Sequence, residues 1–245
     1  MNPINKENPA TFSDQIRTMF NDIAPTYDLL NHLMSFGLDV RWRARAIRLL
    51  EEKRGGAFLD VATGTGDLAI DALRLRPQTI VATDFATGML TRFKDKLSHQ
   101  AVATRIDVVA CDALALPFRR STFDAAMVAF GMRNFNDRAR SLHEMHRVLK
   151  PGGMVLILEL TSPDLPVISW LHDIYSRGIL PFLGRLISKH HSAYTYLPLS
   201  IAEFPAPEEF LALMKKAGFE RTASVRLSLG ISTIFLGWKS EAGTS

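Results

Sequence analysis

The segment from Phe58 to Asp84 constrains the fold more than any other. It reads Phe-Leu-Asp-Val-Ala-Thr-Gly-Thr-Gly-Asp-Leu-Ala, passes through a helix-like run, and closes on Thr-Ile-Val-Ala-Thr-Asp. An apolar strand leads into Gly64-Thr65-Gly66, a helix follows, and a second strand ends on Asp84. This is a βαβ unit of the nucleotide-handling kind. Gly64 and Gly66 let the backbone come close to a ligand, because no Cβ stands in the way. An acid about 20 positions further on, at the tip of the second strand, can accept from both hydroxyls of a ribose.

Two ligands compete for such a unit. Gly64-x-Gly66-x-x-Ala69 fits the dinucleotide fingerprint, so an NAD-linked reductase is one reading. The charges favour S-adenosylmethionine (SAM). Asp67 stands where the helix should begin and would face a pyrophosphate, and Asp60, four residues before Gly64, adds negative charge. SAM has a ribose but no phosphate, and its sulfonium and ammonium suit acidic groups around a glycine turn. A plain α/β turn that binds nothing is the third reading.

The chain divides into stretches that support this crevice. Residues 1–54 read as an N-terminal lead, disordered over 1–11, and a helical cap. Helical spacing starts at Ser13 and stops at Pro25. A loop is expected from Tyr27 to Gly37 and a basic amphipathic helix from Val40 to Lys53. Tyr27 and Asn31 are the cap residues expected to face a ligand. Residues 55–160 alternate strands and helices, which argues for a doubly wound, mostly parallel sheet. Its third strand, Ile106–Ala110, ends at Asp112-Ala113, where open α/β sheets bind ligands. Asp112 there can accept from an adenine amino group. The fourth strand runs straight into Gly131-Met132-Arg133-Asn134 at the same end. Residues 161–205 break the rhythm with apolar stripes cut by proline and glycine, and read as a lid over an apolar substrate. Residues 206–245 supply a helix and a closing hairpin of the same domain.

Composition narrows the function classes. The 245 residues, 47% hydrophobic, suffice for one full core with extra elements. The single cysteine, Cys111, excludes an internal disulfide framework. No run has the length of a membrane span, and the first residues lack the apolar core of a signal peptide, so a cytoplasmic protein is expected. The net charge of +4 permits an anionic partner, but basic and aromatic residues are not clustered as in nucleic-acid readers. His143-Glu144-Met145-His146 is not HExxH and reads as a solvated helix face; no metal is expected.

With these motifs in hand, the chain resembles the ubiquinone/menaquinone biosynthesis C-methyltransferases, the UbiE/MenG/Coq5 family, from about Met19 to Lys239. Gly64-Thr65-Gly66-Asp67 and Leu149-Lys150-Pro151-Gly152-Gly153 are shared by many methyltransferases. Phe130-Gly131-x-Arg133-Asn134 and Tyr194-x-Tyr196-Leu197-x-x-Ser200-Ile201 are far narrower and carry the resemblance. It implies a class I SAM-dependent methyltransferase fold with a seven-stranded sheet. It implies methyl transfer to a ring carbon of a reduced polyprenylated quinol, in menaquinone or ubiquinone biosynthesis. Another small-molecule SAM methyltransferase is the alternative. The family's SAM contacts fall on Thr65, Asp84, Asp112 and Ala113, and a further one, often serine, on Ala129. Asp60, Gly64 and Gly66 complete the expected cofactor set. Arg133 is the candidate to hold the developing phenolate; the alternative is a structural pair with Asp137 or with a carboxylate near the sheet. Tyr194 and Tyr196, with His190 and Asp28, are candidates for proton removal or hydrogen bonding, and Tyr27, Asn31 and Asn134 for substrate contact. The prenyl tail implies peripheral contact with the inner membrane face, and the apolar 161–205 stretch allows a homodimer. The chain departs from the family pattern at Asp39 and Val40, where His-Arg is usual, and at Arg43, where lysine is usual. It also departs at Leu199 for glutamate and at Phe235 for histidine.

Overall fold

The computed structural model describes residues 9–99, 105–163 and 191–241. The strands are β1 (Ala57–Val61), β2 (Thr79–Asp84), β3 (Ile106–Ala110), β4 (Phe123–Ala129), β5 (Leu149–Leu160), β6 (Arg221–Leu227) and β7 (Ser232–Trp238). They form one sheet in the order β3-β2-β1-β4-β5-β7-β6. β1 to β5 run parallel, and β7 enters antiparallel between β5 and β6. The chain moves outward from β1 through β2 to β3, then returns to lay β4 on the other side of β1. That reversal opens a crevice beyond the carboxyl ends of β1 and β4, the usual ligand position of a doubly wound sheet.

Helices cover both faces. They are α1 (Pro9–Ile23), α2 (Tyr27–Met34), α3 (Leu38–Leu49), α4 (Asp67–Ala72), α5 (Thr87–Ser98), α6 (Arg138–Val148), α7 (His191–Ala202) and α8 (Pro207–Lys216). Alternate residues of each strand point to opposite faces. Phe58, Ala82, Met127 and Leu156 pack with Trp42 and Ile47 of α3, Leu68 of α4 and Phe93 of α5. Leu59, Val128, Val155 and Phe235 pack with Leu142 and Met145 of α6 and Phe210 and Met214 of α8. A third, smaller cluster joins Phe12, Ile16 and Met19 of α1 to Met89 of α5 and Tyr196 of α7.

The cap differs from expectation. α1 starts at Pro9 rather than Ser13, and α2 occupies most of the stretch expected as loop. Tyr27, Asn31 and Met34 recur at helical spacing, but the run is short and follows the break at Pro25, so periodicity alone misses it. α3 ends at Leu49 and gives way to a 3₁₀ turn over Glu51–Lys53. It shares its core with the sheet and is part of the main layer. Most of the stretch expected as a lid lies outside the described residues; from His191 onward it is α7.

Candidate active site

The site begins where β1 stops. Ala62 takes φ 54°, Gly64 58° and Gly66 84°, and the chain turns back so that α4 starts at Asp67. Thr63 N–H donates to Thr83 O of β2 at 2.8 Å, which pins the turn to the neighbouring strand. The two glycines do different work. A Cβ on Gly66 would stand 2.0 Å from the Phe93 ring of α5. A Cβ on Gly64 would meet only Tyr27, at 3.9 Å, so Gly64 faces open space beneath the first turn of α2.

Asp84 closes the other side. Its carboxylate accepts from Gly64 N–H at 2.9 Å and Ala86 N–H at 2.8 Å, and burial pushes its pKa up to about 6. Asp60 is fully buried within β1, below the turn and away from the cleft wall. It accepts from the Thr63 hydroxyl at 2.6 Å, its other oxygen has no partner, and burial pushes its pKa up to about 7. Thr65 is also off the wall: its hydroxyl donates to Asp28 of α2. Asp112 is exposed at the mouth, accepts from Leu114 N–H at 2.9 Å, and keeps a free face toward the cleft beside Ala113. Ala129 ends β4 on the opposite wall with Gly131 and Asn134.

Asp84, Asp112, Ala129 and their neighbours border an open cleft of about 760 Å³, the solvent at its mouth included. Its wall carries Asp84 and Asp112 and no lysine, arginine or histidine among the described residues. Such a lining of carboxylates suits the cationic SAM. Phe20, Phe85, Met89, Phe130 and Phe135 supply apolar wall beside the carboxylates. Cys111, expected only as packing at a strand end, also lines the cleft, and burial pushes its thiol up to about 11.

Arg133 sits behind the wall rather than on it. Its guanidinium pairs with Glu159 of β5 at 2.8 Å and donates to Phe130 O, while its backbone N–H takes the second Glu159 oxygen at 3.0 Å. Its partner is therefore a carboxylate of the sheet and not Asp137, which instead caps α6 by accepting from Arg140 N–H. Burial opposes the Arg133 charge, but Glu159 outweighs it and the group stays protonated. Arg133 Nε, the Tyr196 hydroxyl and Asn134 Oδ1 are buried without a partner among the described residues. Burial pushes the Tyr196 phenol up to about 12 and raises that of Tyr27, which hydrogen-bonds Asn31. The Tyr194 side chain and His190 lie outside the described residues.

Other side chains depart from expectation. His146 is not solvated: its half-buried ring packs edge-on against Phe219 at 5.2 Å. His32, Asp39 and Asp67 gather within 4.8 Å, in metal-ligand fashion, but the Arg43 guanidinium already lies 2.7 Å from Asp39 and 3.4 Å from Asp67. Asp39 and Arg43, both departures from the family pattern, are thus partners one helical turn apart. Glu159 and Lys96 were not singled out by sequence. Glu159 left a trace, as the one charge in Met-Val-Leu-Ile-Leu-Glu-Leu; Lys96 left none, since its partners are distant along the chain.

The comparisons agree with this geometry. The model of the ubiE/COQ5 methyltransferase family matches residues 9–239. The ubiquinone/menaquinone biosynthesis C-methyltransferase UbiE of Geobacter sulfurreducens is 46% identical over 228 residues, covering 92% of this chain and 89% of the relative. The demethylmenaquinone methyltransferase of Bacteroides fragilis is 42% identical, covering 93% of each chain. That of Thermus thermophilus is 46% identical, covering 89% of this chain and 99% of its own. Among solved structures, a SAM-dependent methyltransferase from Thermotoga maritima aligns with a TM-score of 0.65 at 19% identity, over 91% of this chain and 99% of that one, a likeness of fold.

Proposed function

This chain belongs to the ubiE/COQ5 methyltransferase family, and we propose that it moves a methyl group from SAM to a ring carbon of a reduced, polyprenylated quinol. The observation that carries the reading is the cleft at the switch point: two carboxylates, no lysine or arginine among the described residues, and an aromatic wall alongside. Bound there, SAM supplies an electrophilic methyl. Asp84 is placed to accept from ribose hydroxyls and Asp112 from the adenine amino group, while the aromatic wall orients a quinol ring and excludes water.

The quinol carbon is a weak nucleophile until its neighbouring hydroxyl loses a proton. Tyr27 lines the cleft and holds its proton at neutral pH, so it donates to a phenolate oxygen and does not take its proton, which leaves to solvent at the cleft mouth; Tyr196 and Arg133 also keep their protons but lie behind the wall. Asn134, on the wall, is the second substrate contact, and Asn31 reaches the site through its bond to Tyr27. The prenyl tail supports a peripheral contact with the membrane face; no described helix is long and apolar enough to cross. The homodimer reading rests on residues 161–205 and is tested by sedimentation.

The experiment supplies SAM with reduced demethylmenaquinone and, separately, a reduced polyprenyl benzoquinol. A methylated ring and equimolar S-adenosylhomocysteine are expected. SAM binding without methylation of either quinol overturns the substrate class.

A further inference from the structure

Four carboxylates of the cap and of the turn after β1 surround two cations. Lys96, near the end of α5, places its ammonium 2.7 Å from Asp28 of α2 and 2.7 Å from Asp67 at the start of α4. Asp28 uses its other oxygen to accept from the Thr65 hydroxyl, inside the glycine turn. Arg43 of α3 ties Asp67 at 3.4 Å to Asp39 at 2.7 Å and Asp71 at 2.9 Å. Among the described residues, two side-chain contacts between ionisable groups join α2 to its surroundings: Lys96 to Asp28, next to the glycine turn, and His32 of α2 to Asp39 of α3 at 2.8 Å, farther along the helix. The neighbour of Asp28, Tyr27, is the side chain lying over Gly64. So the α2 turn that roofs the cofactor position is held from outside the cleft. Removing the Lys96 charge leaves Asp28 and Asp67 facing each other with nothing between them. Both carboxylates are about a third exposed, so water dampens the repulsion without cancelling it.

We propose that Lys96 is a positioning residue for cofactor binding, which never touches the cofactor and acts by clamping Asp28, and through it Tyr27 and Thr65, onto the glycine turn. The roof is a short helix between Pro25 and Gly37, two points where the chain turns, and its seat on the turn depends on few groups. The same arrangement accounts for Thr65: its hydroxyl serves the clamp, and its backbone shapes the turn.

The test uses the full chain and the binding of S-adenosylhomocysteine, read by calorimetry, so it is independent of which quinol is methylated. Lys96→Met should raise the Kd about fivefold to tenfold, with Lys96→Arg recovering most of the loss. Asp28→Asn, which keeps an acceptor for Thr65 but drops the ion pair, should weaken binding by a smaller factor. The double variant Asp28→Asn with Lys96→Met should bind more tightly than Lys96→Met alone, because one of the two facing charges is gone. Raising salt from about 0.05 M to about 0.5 M should weaken the wild type and leave the double variant flat. An unchanged Kd in Lys96→Met, no rescue by arginine, or losses that simply add in the double variant would each overturn the proposal.

Discussion

Asp60 and Asp84 are carboxyls that the fold holds at a cost. Both have pKa values raised in the folded chain, to about 7 and about 6, above the ordinary value near 4. Between those limits the folded chain binds more protons than the unfolded one, so stability falls as pH rises from about 4 to about 7 and then levels off. Asp60→Asn keeps the Thr63 partner and removes the buried charge. It should raise the melting temperature at pH 8, with the gain shrinking toward pH 4. A melting series across pH checks it. SAM brings positive charge to Asp84, the one of the two that lines the cleft. Its binding near pH 6 should therefore release protons, read from the dependence of binding heat on buffer ionisation, and release none near pH 9. Glu159→Gln removes the charge that balances Arg133 and should cost about 3–5 kcal/mol of stability, measured by denaturant unfolding.

At the scale of elements, the turn after β1 was legible because its constraints are local: two glycines three and five residues past a strand end, and an acid at the tip of the next strand. Gly66→Ala should disable the protein, since φ 84° and a 2.0 Å approach to Phe93 both forbid a Cβ; Gly64→Ala meets only the unfavourable φ of 58° and should fold while losing cofactor affinity. Purified yield and Kd separate the two. The strands β3, β4 and β6 and the helix α8 also follow from sequence: the strands are apolar or β-branched runs bounded by polar or glycine turns, and α8 opens on Pro207 and buries Phe210 and Met214. The cap did not. α2 is stabilised by Asp28, Tyr27 and Asn31 reaching α5, the glycine turn and each other, contacts that no periodicity encodes. For Arg133 the sequence admitted a pair with a carboxylate near the sheet but could not choose it over phenolate chemistry, because its Glu159 partner lies 26 positions away.

For the whole molecule, the electrostatics of the cleft set the ligand. S-adenosylhomocysteine or SAM at about 100 times its Kd should add about 2.7 kcal/mol, a rise of roughly 5–10 °C in melting temperature, and NADH should add nothing. A shift with NADH alone would contradict the acidic lining. The sheet order carries a different consequence. β7 is the last strand made and yet lies between β5 and β6. Any nascent chain that has laid down β5 but not β7 presents a long apolar strand with an open edge, and β6 has nowhere to dock. The order of synthesis therefore runs against the order of the sheet, and the edge of β5 stays open in the growing chain until β7 arrives.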